Sequence, residues 1–457
     1  MQVSTTPHEN WSSRLGFLLA SIGAAVGLGN IWKFPYTLGS AGGSAFVLVY
    51  LIAIFVVAMP IMMGEMVLGR RGRMSAPGTM RKLAAETRSS RAWVGVGWLG
   101  LTAVFIVLSF FSVVAGWSLA YVVKSATGTF TGSTPAVAGE IFADFLHRPL
   151  QTSFWHLCFM AVTVLIVSRG INSGIEKAMN VLMPGLFLML LALVIYALTN
   201  GAGAEAVSYL FVPDFSQLTP AIVLAAVGQA FFSVNVGIGA VLTYSAYLPA
   251  HVNLPRAAIV ISLGDTLVAL LAGLAIFPIV FANGLDPGAG PGLLFVTLSS
   301  AFGQMPGGAI VGAVFFLFVF VAALTSSIAM LEMMVCRAEE GGRRSRPRSA
   351  MLIGLAAFLA GLLTVASFSI WEDVRLLPGV PLIGDRSIFD FLDNLVTNFM
   401  LPAGGMLFAL FAGWRVSTEA AREELGLSAG WFAVWRFLVR FVAPLAVGAV
   451  FVSQLTG

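Results

Sequence analysis

Two glycine-bearing runs decide how this sequence is read: Gly23-Ala-Ala-Val-Gly-Leu-Gly-Asn30 and Ser233-Val-Asn-Val-Gly-Ile-Gly239. Each places a Gly-x-Gly, Gly27/Gly29 and Gly237/Gly239, near the middle of a stretch otherwise apolar enough to be a membrane helix. Glycine in a helix interior costs roughly 1 kcal/mol relative to alanine, so such a pair invites a break. In lipid each unpaired backbone group costs several kcal/mol, and a break persists only where it faces a cavity or bound ions. Interruptions at matching places in two halves of a chain point to the binding site of a secondary transporter. Close helix packing is the competing use of glycine for either run alone; the pair together favours the break.

The rest of the chain supports a membrane setting. Of its 457 residues 58% are hydrophobic and 10% charged, against about 25% charged in soluble domains. A soluble globule of this length also needs polar groups to cover itself. Runs of about 20 apolar residues cross a hydrocarbon layer roughly 30 Å thick, and Ile52–Met63 and Ile353–Ile370 carry no charge at all. We read eleven spans: Leu15–Leu38, Ser44–Leu68, Trp93–Val123, Phe154–Val167, Met179–Leu198, Pro220–Leu248, Ala257–Ala282, Gly308–Met334, Met351–Ile370, Ile388–Gly413 and Trp431–Ser453. The breaks fall in the first and sixth spans, where two five-helix repeats place equivalents. The expectation is one all-α transmembrane domain over 1–457, with repeats at 11–200 and 217–413 and an extra helix at 428–454.

The net charge of +4 is explained by position. Arg70, Arg71, Arg73, Arg81, Lys82, Arg88 and Arg91 share one loop, and Arg337, Arg343, Arg344, Arg346 and Arg348 share another on the same side. Only Lys124, Arg148, Arg375 and Arg386 fall in loops opposite. The positive-inside rule puts the N-terminus in the cytoplasm and the C-terminus outside, in an inner (plasma) membrane. A basic cytoplasmic rim accounts for the charge, and no nucleic-acid partner is implied. The first 14 residues are polar and show no cleavable signal, so Met1 is expected to be the start. Cys158 and Cys336 lie in or beside apolar segments and read as small buried hydrophobes. The Gly- and Pro-rich outer loop Asp286–Pro306 could fold back as a cap, and Thr127–Thr152 is the other long outer loop.

The run from Trp11 through Gly27-Leu-Gly-Asn30-Ile-Trp-Lys33-Phe-Pro35 resembles the first helix of the neurotransmitter:sodium symporter family, in its bacterial, LeuT-type, eleven-span branch. Gly42-Gly43-x-x-Phe46, Gly228-Gln229-Ala230-Phe231-Phe232-Ser233 and Leu324-Thr325-Ser326-Ser327 follow in family order. The resemblance implies a 5+5 inverted-repeat bundle with unwound helices 1 and 6. It also implies import of a small amino acid or amino-acid-like amine, coupled to Na+ and lined by membrane lipid.

A hard cation wants about five or six oxygens, which the ends of broken helices supply. The resemblance implies one sodium site from Ala25, Asn30, Ser233 and Asp265, and a second from Gly23, Val26, Ala322, Thr325 and Ser326. Adjacent Thr and Ser in a helix also bond back to their own backbone, which is the plain alternative. Asp265 lies within the apolar run Ser-Leu-Gly-Asp265-Thr-Leu-Val. A buried carboxylate is costly unless neutralised. Animal relatives carry asparagine there and use chloride nearby; with a fixed charge at Asp265, and Ala269 where a chloride-site serine is expected, transport is expected to need no chloride. An Asp capping a helix end is the plain alternative.

The same resemblance lines the substrate pocket with Ala25, Leu28, Gly29, Val107, Phe111, Phe232, Ser233, Asn235, Ile238, Ser326 and Met330. Two positions depart from the family: Phe111 stands where a tyrosine hydroxyl is usual, and Asn235 where a serine is usual. An α-amino acid held without that hydroxyl, and a related amine or ω-amino acid, therefore both stay open. Lys33 would pair with Asp393, or with Asp390 one turn away, as an outer gate. His8 and Glu340 would form the inner gate, unless His8 is simply a solvated N-terminal residue. Glu65 and Glu332 read as structural. An enzyme is disfavoured, since the four histidines lie at or near span ends and no H-E-x-x-H occurs; a channel is disfavoured by the lack of pore loops. A non-transporting sodium-dependent receptor on the same scaffold stays open, as do the sodium stoichiometry, proton counter-transport and oligomeric state.

Overall fold

Polar residues just ahead of the apolar runs set where several helices begin. Ser13 Oγ accepts the Gly16 N–H at 2.9 Å, and Asn253 Oδ1 accepts the Arg256 N–H at 2.8 Å. Thr219 Oγ1 accepts the Ile222 N–H at 3.3 Å with Pro220 in the first turn. Each satisfies a donor that the helix itself cannot. The computed structural model describes residues 11–287, 292–340, 342, 345–376 and 385–456, without the side chains of 217 and 454–456.

Among the described residues there is no strand, and nine continuous helices are long and apolar enough to cross a membrane, from Ser44–Gly72 to Ala429–Ser453. Arg14–Ala25 and Gly29–Ser40 form a further span bent by 50° at its break. The sixth span is two short helices, Pro220–Ser233 and Ala240–Ala246. Together these account for the eleven expected spans of a multi-pass membrane protein. The architecture is the LeuT-type 5+5 bundle with helices 1 and 6 unwound.

Three residues between the halves of span 6 have left-handed backbone: Asn235 (φ 51°), Gly237 (φ 95°) and Gly239 (φ 84°). At Gly237 a side chain is also excluded by packing, because a Cβ would lie 2.5 Å from the Leu401 carbonyl oxygen and 2.7 Å from Gly405 N. The break thus lies directly against span 10. Glu65, from span 2, accepts the freed Gly237 N–H at 2.6 Å, so the carboxylate is structural as expected. Glu332 is structural too, accepting the Tyr247 hydroxyl at 2.8 Å and pairing with Arg346.

Span 8 (Gly308–Glu339) lies along span 3 (Arg91–Ala126), and the first half of span 1 packs against spans 7 (Leu254–Ala282) and 8. Both of the long loops expected on the outer side contain helices that their composition left unread. Pro135–Leu146 lies in one and Leu293–Gln304 in the other. The second is the cap: Leu293, Leu294 and Phe295 are buried. Phe295 stacks on Phe142 and Phe316, with centroids 5.4 and 5.8 Å apart, and meets Trp117 and Tyr121 edge-on. Such aromatic contacts contribute about 0.5–1.5 kcal/mol each beyond area burial, enough to seat a glycine-rich loop. Span 5 also starts earlier than read, at Ile171, through a wide turn over Ile171–Glu176. Cys158 and Cys336 are free thiols, half-buried and buried.

Candidate functional site

The break in span 1 comes between Ala25 and Gly29, where the last helical bond is Val26 N–H to the Ile22 carbonyl at 2.7 Å. A helix end leaves four carbonyls without partners, here those of Gly23, Ala24, Ala25 and Val26. Their surroundings define the site.

On one side lies a pair of hydroxyls from span 8. Ser326 Oγ is 2.9 Å from the Val26 carbonyl and 3.5 Å from that of Gly23. Thr325 Oγ1 is 3.5 Å from the Val26 carbonyl. Both hydroxyls also bond back to Ala322 O, at 2.9 Å from Thr325 and 3.4 Å from Ser326. The helical back-bond and the contact across the break therefore coexist. The five oxygens expected at the second ion site, from Gly23, Val26, Ala322, Thr325 and Ser326, converge in one buried cluster. Gly27 is required beside it, since a Cβ there would lie 2.5 Å from Ser326 Oγ.

On the other side lies Asp265, fully buried in span 7. Asn30 Nδ2 donates to its Oδ1 at 2.8 Å and Ser233 Oγ donates to its Oδ2 at 2.5 Å. Asn30 Nδ2 also lies 3.0 Å from Ser233 Oγ, and Asn30 Oδ1 accepts the Gly27 N–H at 3.2 Å. Asp265 therefore does not cap a helix end; it joins spans 1, 6 and 7 in mid-bundle. Tyr50, which the sequence reading did not assign, adds its hydroxyl 3.1 Å from Ser233 Oγ. Its mark in the sequence is one polar atom, four residues after Phe46 in span 2. Gln229, within the Gly228–Ser233 motif, has its Nε2 donating to the Gly29 carbonyl at 3.0 Å. Among the described residues no three His, Cys, Asp or Glu side chains group as they would around a metal. The carboxylate, amide, hydroxyl and carbonyl oxygens present instead are donors of the kind a hard cation takes.

The expected substrate residues surround this region unevenly. Phe232 lies over Gly29, whose Cβ would meet its ring at 3.0 Å. Ile238 and Met330 are buried, and Val107 and Phe111 are half-buried against the core. Asn235 is engaged: its Nδ2 donates to the Ala24 carbonyl at 2.7 Å. A cavity of about 290 Å³ lies beyond Phe232, lined by Lys33, Gln229, Phe232, Asp393, Thr397 and Asn398 among others, but not by Val107, Phe111, Ser326 or Met330.

Of the two candidate gate acids, Asp393 lines that cavity with Lys33. Asp390 is instead tied to the start of span 10, its Oδ2 accepting Ser387 Oγ at 2.7 Å. Lys33 and Asp393 face one space without a direct ion pair among the described residues. Lys33 Nζ sits 3.9 Å above the Phe232 ring centroid, and Asp393 accepts from Thr397 at 3.1 Å. His8, expected at the inner gate, lies outside the described residues. Glu340 accepts the Ser75 N–H and lies 3.6 Å from Arg337.

The meeting of two interrupted spans in the middle of this helical bundle is the arrangement of LeuT-type membrane transporters. The sequence pattern of the sodium:neurotransmitter symporter family matches residues 8–136 and 148–456. The uncharacterized sodium-dependent transporter YhdH of Bacillus subtilis is 40% identical over 449 residues, 97% of each chain. An uncharacterized sodium-dependent transporter of Haemophilus influenzae is 34% identical, covering 100% of both. The crystal structure of MhsT in complex with L-phenylalanine superposes with a TM-score of 0.88 at 41% identity, covering 98% of this chain and 100% of that one. The chain belongs to the sodium:neurotransmitter symporter family. It is a sodium-dependent transporter, not an enzyme.

Proposed function

We propose that the protein imports a small apolar α-amino acid with sodium by alternating access, without need of chloride. The observation that carries this is the Asn30–Ser233–Asp265 cluster, which joins three spans through a buried charge at the mouth of the span 1 break. An uncompensated carboxylate at that depth is costly, and a bound cation offsets the cost. In this reading Ala25, Asn30, Ser233 and Asp265 hold one sodium; Gly23, Val26, Ala322, Thr325 and Ser326 hold the other. The charge of Asp265 does the work that a chloride would otherwise do.

The substrate lies between the breaks, against Leu28, Gly29, Val107, Phe111, Phe232, Ile238 and Met330. The start of the outer half of span 1, at Leu28 and Gly29, turns the positive end of a helix dipole toward a carboxylate. MhsT, the 41% identical neighbour, holds L-phenylalanine, which makes apolar α-amino acids the first class to test. An amine or ω-amino acid is the second reading, favoured by the missing hydroxyl at Phe111. Phe232 and the Lys33–Asp393 pair close the outer path; His8 and Glu340 guard the inner one. The repeats run over 11–200 and 217–413, with the extra helix at 428–454. The basic loops support an N-terminus in the cytoplasm, in an inner (plasma) membrane.

The test is thermal stability of the purified protein in sodium against choline salts, with a panel of amino acids, amines and ω-amino acids. A melting shift needing sodium and one ligand class together supports symport and names the class. Absence of any sodium-dependent shift would sink the ion-ligand assignment. Sodium-dependent binding without uptake into proteoliposomes would make the protein a receptor on this scaffold.

A further inference from the structure

Three of the four carbonyls freed by the span 1 break are assigned above to sodium: Gly23, Ala25 and Val26. The fourth, Ala24, belongs to no ion set. A buried carbonyl without a partner costs free energy comparable to a lost hydrogen bond, so its partner is informative. That partner is Asn235 Nδ2 at 2.7 Å, which also reaches the Ala25 carbonyl at 3.5 Å.

Asn235 sits within the break of span 6, so one side-chain amide ties the two interruptions together. Its backbone is left-handed, φ 51°, and its N–H closes the last turn of the outer half on the Phe232 carbonyl at 3.2 Å. Few residue types suit this place. Left-handed backbone selects Gly, Asn or Asp, and of these only Asn offers a neutral donor to a carbonyl. We propose that Asn235 is a positioning residue that pins the Ala24 peptide to span 6. This holds the Gly23, Ala25 and Val26 carbonyls splayed toward the two ion sites and keeps the first half of span 1 docked until release.

The bond joins the end of Arg14–Ala25 to a segment packed on span 10, where Gly237 leaves no room for a side chain. The first half of span 1 therefore cannot tilt from the bundle without breaking it. The proposal rests on the alternating-access reading for its function, but the strut itself is testable without sodium.

Two variants separate the amide from the backbone it sits on. Asn235→Gly keeps the left-handed conformation and removes the donor. Asn235→Asp keeps shape and conformation but sets an acceptor against the carbonyl. Each is placed in a Cys158→Ala/Cys336→Ala background with Ser21→Cys as reporter, since Ser21 is fully buried in the first half of span 1. Maleimide labelling of that cysteine is timed in membranes without sodium, and sodium titrations of radiolabelled L-phenylalanine binding are run in parallel. Loss of one buried hydrogen bond is expected to speed labelling about fivefold or more in both variants. The sodium concentration for half-maximal binding is expected to rise by a similar factor, with the ligand-free melting temperature within a few degrees of the native protein. Unchanged labelling in both variants overturns the strut, whatever sodium does. Faster labelling in variants of a protein that binds no phenylalanine with sodium would keep the strut and overturn the substrate reading alone.

Discussion

Replacing Asp265 by asparagine tests the centre of the site with nearly no change of shape. Two donors, Asn30 Nδ2 at 2.8 Å and Ser233 Oγ at 2.5 Å, point at separate oxygens of this carboxylate. An amide presents one oxygen and one NH2, so with its oxygen kept toward Asn30 its NH2 faces Ser233 Oγ, which must turn from donor to acceptor and loses its bond to a charged group. A hydrogen bond to a charged group contributes about 1.5–3 kcal/mol. The lost charge matters to the ion itself: unit charges roughly 4 Å apart attract with about 4 kcal/mol at an effective dielectric near 20. Desolvation of the carboxylate is relieved at the same time, so the smaller figure is the safer floor. At about 1.4 kcal/mol per decade, sodium affinity should fall at least roughly tenfold, and at most about a thousandfold. The assay is a sodium titration of L-phenylalanine binding, in chloride and again in gluconate. The native curve should be the same in both anions, while the Asp265→Asn curve should lie at higher sodium and recover partly in chloride. A native sodium curve in Asp265→Asn, or native binding lost in gluconate, would refute the reasoning.

Further outcomes follow from single contacts. Gly27→Ala drives a Cβ to 2.5 Å from Ser326 Oγ, so it should displace that hydroxyl from Val26 and raise the sodium requirement while circular dichroism stays native. Phe111→Tyr restores a hydroxyl beside the pocket; one added hydrogen bond of about 1 kcal/mol should tighten α-amino acid binding roughly fivefold and leave decarboxylated analogues unchanged, read by competition. Arg346→Met strands the buried carboxylate of Glu332 and should cost about 3–5 kcal/mol. The double variant Glu332→Gln/Arg346→Met should regain much of that in melting temperature, and equal losses in single and double variants would mean that the pair is not coupled. Lys33→Met removes the cation over Phe232 and should speed release of bound substrate outward, measured as dissociation rate, with little change in sodium affinity.

The spans were legible because lipid imposes a uniform demand, and the breaks because paired glycines are costly in a membrane helix without a reason. Asp265 was legible for the same cause, as a lone carboxylate inside an apolar run. What stayed hidden depended on which way side chains turn and what they meet in the fold. Asp390 and Asp393 lie one turn apart, and only the turn of span 10 shows that the first is held by Ser387 while the second faces the cavity. The cap helix Leu293–Gln304 was masked by glycine and proline around it, although Phe295 is among the most buried aromatics. Asn235 read as an enlarged pocket residue because serine-to-asparagine suggests size. Its left-handed φ and its bond to the other break belong to the fold and to no local pattern.

Coupling in this molecule follows from how the break is shared. The end of the first half of span 1 offers its carbonyls to Ser326 and Thr325 of span 8 and to Asn235 of span 6. Just beyond, Asn30 carries the start of the second half to Ser233 and to Asp265 of span 7. Through these bonds span 8 holds the first half of span 1, while spans 6 and 7 touch both halves, which the short link 26–28 joins. A ligand shifts such an equilibrium only by its differential affinity for the two arrangements. An ion bound by carbonyls of the first half and hydroxyls of span 8 binds only while that half is docked. In the proposed reading an ion held by Ala25, Asn30, Ser233 and Asp265 bridges the two halves of span 1 and binds them to spans 6 and 7. In that reading two cations of one kind stabilise one global state through the shared carbonyl end of the first half of span 1. In the proposed reading, loss of the span 8 ion alone leaves the first half of span 1 held by the remaining ion at Ala25 and by the Asn235 bond to Ala24, the contacts whose breaking would let it tilt away.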